Sequence, residues 1–97
     1  MTDFSKLASL RKLMLEMERS LGLQELSAVE RDIYYAATDL SDVERGVSTN
    51  SLLDHALVMG VSRPTFFRAL KSLAHKGYLV PSKTAGRGRY VVNPPRL

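Results

Sequence analysis

The stretch VSRPTFFRALKSLAHKGYLV, residues 61–80, decides how the rest of the chain is read. Phe66, Leu70 and Leu73 recur at i, i+4 and i+7, the spacing of a buried seam on one face of a helix. Ser62 suits the N-cap of that helix, Pro64 its first turn and Gly77 its left-handed stop. The same helix carries Arg63, Arg68, Lys71 and Lys76 and no acid. A second phenylalanine, Phe67, is turned about 100° from the first. One side is built to pack, and the other collects positive charge that calls for an anionic partner.

Charge along the chain extends the contrast. Residues 1–48 hold 6 Lys/Arg against 9 Asp/Glu, whereas residues 49–97 hold 8 Lys/Arg against Asp54 alone. From residue 62 onward there is no acid at all, the footprint expected where neutralising phosphates releases counterions. At 97 residues the chain is expected to form one domain with a modest core, which favours binding at the surface over an enclosed active site. It has no cysteine, and His55 and His75 lack neighbours that could complete a metal site, so no metal or other cofactor is expected. A Gly-rich phosphate loop and a nucleophile–base pair are also missing from the sequence, and an enzyme is not expected. Apolar runs stay well short of the roughly 18 residues of a membrane span, and no signal-peptide core opens the sequence. A cytoplasmic protein without membrane attachment is the expectation.

Residues 1–24 read as a separate N-terminal helix. Leu7, Leu10, Met14, Met17 and Leu21 form one apolar stripe, and Leu13 and Leu15 widen it beyond what one neighbour covers. The second neighbour is expected to be another copy of the chain, making a homodimer through this helix. Residues 25–97 read as the main domain. Ser27 and Glu30 form a capping box that starts a helix at Ala28, with Val29, Ile33, Ala36 or Ala37, and Leu40 on its buried face. Residues 41–48 read as a polar loop, and Thr49 as the cap of a short helix from about Asn50 to Leu57 with Leu52, Leu53, Ala56 and Leu57 as its apolar members. Two strands, Tyr78–Ser82 and Arg89–Asn93, are expected beyond the helix of residues 62–76, joined by a flexible tip at Gly86–Gly88. Pro81 makes this an edge or a two-stranded ribbon. The fold class is therefore mainly α with a small β-ribbon.

Ala56, Gly60 and Phe66 fit the A-x3-G-x5-hydrophobic pattern of helix-turn-helix units. With the run from Gly60 to Val80, they make residues 27–93 resemble the winged helix-turn-helix proteins, and specifically bacterial transcription regulators of the MarR type. The resemblance implies a three-helix core plus a wing, here with an extra N-terminal helix, and sequence-specific binding of double-stranded DNA by a dimeric transcriptional regulator. The helix of residues 62–76 would lie in the major groove and the wing of residues 84–89 at the minor groove. The residues implied to meet DNA are Ser62, Arg63, Pro64, Thr65, Phe67, Arg68 and Lys71 on the helix, and Arg87 and Arg89 on the wing. For Phe67 two readings stand side by side: contact with a thymine methyl, or a ring folded over the turn or the base of the wing. MarR-type proteins carry further C-terminal helices that complete the dimer and an effector pocket. The sequence ends just past the wing, and its tip TAGRGR lacks the acidic residue often found beside the wing arginine. Control by a small-molecule effector of the family kind is not expected, and any effector is unknown. The competing readings are a winged-helix protein-interaction module and a plasmid or phage replication protein using the same DNA-binding unit.

Overall fold

Ser27 opens the main body with its capping box: the Glu30 N–H donates to Ser27 Oγ at 3.2 Å, and the Ser27 N–H donates to Glu30 Oε1 at 2.8 Å. The computed structural model describes residues 3–41, 45–82 and 88–93. Their elements are α1 (Asp3–Ser20), a short 3-10 turn (Leu23–Glu25), α2 (Ala28–Leu40), β1 (Val47–Ser48), α3 (Thr49–Asp54), α4 (Arg63–Lys76), β2 (Leu79–Pro81) and β3 (Arg89–Val92). The chain is mainly helical with a small antiparallel sheet, as the sequence patterning leads one to expect. None of its described helices is long and apolar enough to cross a membrane.

The core lies where α2, α3 and α4 converge under the sheet. Ile33, Leu52, Val58, Phe66, Leu73 and Leu79 are its largest fully buried side chains. Ala36 and Ala37 are buried on α2, and small side chains there let neighbouring helices come close. Gly77, at φ 86°, ends α4 in the left-handed conformation, with its N–H on Ala74 O and the Tyr78 N–H on Leu73 O. Asn93 then fastens the sheet to that stop, since its Nδ2 donates to Gly77 O at 2.7 Å. The Tyr34 hydroxyl donates to Asn93 O at 2.9 Å, and its ring meets Tyr78 edge-on at 5.5 Å.

Several expectations need correction. The ribbon is three-stranded, in the order β1-β3-β2, because Val47 and Ser48 pair with Tyr90 and Arg89. Residues 47 and 48 lay inside the segment read as polar loop, and β3 becomes the central strand while Pro81 stays on an edge. The short helix ends at Asp54 instead of Leu57, because the His55 ring turns back on the chain: the Leu57 N–H donates to Nδ1 at 3.1 Å, and Nε2 meets Asp39 Oδ2 at 2.8 Å. Ala56 and Leu57 are exposed in consequence, and Val58 enters the core in their place. Ala56 therefore does not mark a helix crossing. Ser48, not Thr49, caps α3, accepting from the Ser51 N–H at 3.1 Å; Thr49 instead gives its N–H and its hydroxyl to Gly88 O at 2.8 and 3.0 Å. Leu40, expected to be buried, is exposed.

The apolar stripe of α1 does not enter the core. Leu7, Leu10, Leu13, Met14 and Met17 are 44–60% exposed. The buried residue of α1 is Glu18, 4% exposed. Its Oε2 accepts the Tyr35 hydroxyl, and guanidinium nitrogens of Arg11 and Arg31 stand 3.8 Å from Oε1. Burial and this hydrogen bond hold the Tyr35 phenol up at about 12, so it stays a neutral donor. Leu21, Leu23 and Leu26 then carry the chain into the core.

Gly46, at φ 67°, is what admits β1 to the sheet: a Cβ there would stand 2.3 Å from the Tyr90 carbonyl oxygen. Gly22 has a similar φ of 73° with nothing near the same position. Gly46→Ala is expected to lose more than about 2 kcal/mol of stability, and Gly22→Ala only the roughly 1–2 kcal/mol of a strained left-handed residue. Urea-unfolding midpoints of the two variants check the contrast.

Candidate nucleic-acid interface

Helix periodicity sorts the side chains of α4. Phe66, Leu70 and Leu73 are buried. At 100° per residue, Pro64, Arg68, Lys71 and His75 fall within an arc of about 60° on the opposite side. All four are exposed, and none is acidic. Arg63 and Phe67, also exposed, lie together on one flank of this arc. Thr65 lies on the other flank and is half-buried. At about 1.5 Å per residue the 14-residue helix is roughly 21 Å long.

The N-terminal end of α4 is organised by Ser62. Its Oγ accepts the Thr65 N–H at 3.4 Å and donates to Thr65 Oγ1 at 2.9 Å, while the Phe66 N–H reaches Ser62 O at 2.8 Å. Phe67 remains 45% exposed, and its ring packs edge-on against Phe66 with centroids 5.0 Å apart. Half the ring is supported and half is presented. Beside Thr65 and Arg68 runs an open groove of about 370 Å³, completed by Ser27, Val29 and Glu30 of the capping box and by Ser72.

Glu30 is the anchor of that groove. It is 6% exposed and carries Lys76 Nζ at 3.1 and 3.3 Å from its two oxygens, tying the first turn of α2 to the last turn of α4. Burial pushes its carboxyl up, but hydrogen bonds from Ser72, Ser27 and Lys76 outweigh this and bring it down to about 2. Lys76 is thereby committed to holding α4 in place.

The candidate residues on α4 come together on one side of the molecule. Arg89, on β3, is half-buried, and its Nε donates to Arg45 O at 2.8 Å, so part of its guanidinium fastens the approach to β1. Gly88, at φ 71°, is held by Thr49. Arg87 and the rest of the tip lie outside the described residues. Sequence reasoning left His75 off the list of contacts, although its place one turn after Lys71 puts it on the outward arc.

Glu30 also makes a pH dependence. Its folded pKa is depressed, so the stabilisation is fully present above the ordinary carboxylate value near 4.5 and is lost as pH falls towards about 2. Glu30→Gln is expected to be less stable at pH 7 by roughly 2–3 kcal/mol and to flatten the fall in stability between about pH 5 and pH 2. Urea midpoints measured across that range for both proteins test this.

Comparison with family models, with curated proteins and with solved structures found no match to this chain.

Proposed function

We propose that the chain is a sequence-specific double-stranded-DNA-binding protein of winged helix-turn-helix type, similar to the MarR regulators and acting as a dimeric transcriptional regulator. The observation that carries this reading is the outward arc of α4, where Arg68, Lys71 and His75 stand exposed opposite the buried seam, in an acid-free stretch that begins at Ser62. An α-helix fits the major groove, which is about 12 Å wide. In this reading α2, α3 and α4 are the three-helix core and the β2–β3 hairpin is the wing. Arg63, Arg68 and Lys71 supply phosphate and base contacts, Ser62, Pro64 and Thr65 set the approach of the helix, and the exposed half of Phe67 meets a thymine methyl. Arg87 and Arg89 serve the minor groove, where backbone contact dominates.

A second reading, a protein-interaction module on the same fold, rests on the cross-strand pair Val80 and Val91, which leaves apolar surface on the outer face of the sheet. Selection of bound duplexes from a random pool separates the two. DNA binding by a dimer yields an enriched inverted repeat with half-sites about 10 bp apart, or a multiple of that. No enrichment would leave the interaction module.

On the selected site Arg68→Ala is expected to lose roughly 1–3 kcal/mol of binding and much less on scrambled duplex, so specificity relaxes. Arg87→Ala is expected to weaken binding on every sequence and to reduce the salt slope by about one unit. Titrations at several salt concentrations on both duplexes read these differences. Equal losses on the two duplexes for Arg68→Ala would remove it from base readout.

A further inference from the structure

The feature the proposed DNA contacts do not use is α1. Its C-terminal end is secured to the body by Glu18, Tyr35 and Arg31. Arg11, Leu15 and Glu18 share the face turned towards the body, and roughly 90° round the helix runs the stripe of Leu7, Leu10, Leu13, Met14 and Met17. Those five residues are 44–60% exposed; Phe4, 83% exposed, lies on the Arg11–Leu15–Glu18 face, two to four turns before those residues. The exposed parts of the five stripe side chains supply the apolar centre of a patch, and the polar residues flanking them extend it towards the ~800 Å² per partner that a standard protein interface buries. Beside the stripe is an open hollow of about 350 Å³ lined by Leu13, Glu16, Met17, Ser20 and Leu21.

We propose that α1 pairs antiparallel with α1 of a second copy of this chain, Leu10 against the partner's Met14 and Leu7 against the partner's Met17 in both directions. Leu7, Leu10, Met14 and Met17 occupy successive a and d positions of a heptad, and an antiparallel pair places a against d. In this register Leu7 lies at the partner's hollow. Lys6, next to it, extends over the partner's Glu16 on the rim, and the two-fold axis makes the contact twice. A parallel pair would set Lys6, at a g position, against the partner's Arg11 at the following e position, whereas the antiparallel pair brings the two Arg11 side chains near each other at the axis, each drawn back to its own Glu18 at 3.8 Å. Antiparallel pairing also sets the two bodies at opposite ends of the helix pair. The interface stands on α1 itself, and only its use on two half-sites rests on the DNA-binding reading.

The test needs no DNA, so its failure is separate from failure of that reading. Sedimentation equilibrium of the full chain is expected to show a dimer at micromolar concentration. Leu10→Asp with Met14→Asp is expected to raise the dissociation constant by about 100-fold or more while near-ultraviolet circular dichroism of the buried tyrosines is unchanged. Orientation is read by cross-linking, which the absence of native cysteine makes clean. Leu7→Cys mixed with Met17→Cys is expected to give a disulfide-linked dimer under mild oxidation, and Leu7→Cys alone is not. In the antiparallel register the two copies of position 7 are about 15 Å apart along the axis, beyond the roughly 7 Å that a disulfide spans. Cross-linking of Leu7→Cys with itself would overturn the antiparallel arrangement. A monomeric chain would overturn the proposal outright, including one that instead binds anionic phosphatidylserine vesicles through the same stripe.

Discussion

Phe66, Leu70 and Leu73 can be buried together only if the opposite side of the same helix faces solvent, and the rest of the molecule depends on that coupling. A helix has no freedom to bury and present independently, because both follow from one 3.6-residue period. Rotation of α4 by a single residue would drive Phe67 and Lys71 towards the core and bring Leu70 out. Several contacts hold it against that rotation. The Glu30–Lys76 pair clasps its last turn to α2, Ser62 orders its first turn, and Asn93 fixes the carbonyl of the glycine where it stops.

The two halves of the chain use charge differently. In the first half, four acids are engaged by side chains of other elements: Glu18 with Tyr35 and Arg31, Glu25 with the Tyr78 hydroxyl, Glu30 with Lys76, and Asp39 with His55. Two of these carboxylates, Glu18 and Glu30, are almost fully buried. Placing acids in such partnerships keeps their field close to a counter-charge or donor, so it falls off quickly. The cations at Arg68 and Lys71 have no acid on their own helix to temper them. The positive potential of the second half therefore reaches outward from α4.

What was legible in the sequence was what neighbouring residues decide. The Ser27–Glu30 box, the Ser62 cap, the Gly77 stop and the seam of α4 are each settled within one or two turns, and all stand where the pattern puts them. The misses depend on distant partners. The two-residue strand at Val47 has no periodicity to read, and its pairing rests on the fit of Gly46 against a Tyr90 carbonyl 44 positions away. The early end of α3 depends on His55 meeting Asp39 on another helix. The burial of Glu18 and the Lys76 partner of Glu30 carry no local signal, because the residues that neutralise these carboxylates lie on other elements or other turns. Most of the candidate site was readable, since six of its members lie on the exposed sides of a helix whose buried side was clear. Thr65 turns towards α2 and Arg89 ties down Arg45, two commitments visible only once the elements are assembled.

The slender attachment of α1 gives the molecule two tiers of cooperativity. Amides in α2 and α4 are covered by the core, and their hydrogen exchange requires the body to open. The first three turns of α1 have no such cover within one chain, and an isolated helix of that length is marginal in water. Their protection is therefore set by whatever lies against the stripe. With a second copy there, exchange in α1 slows as the protein is concentrated, while exchange in α4 does so only to the extent that association stabilises the whole body. The N-terminal helix becomes a built-in reporter of its own occupancy, legible amide by amide without touching the exposed arc of α4.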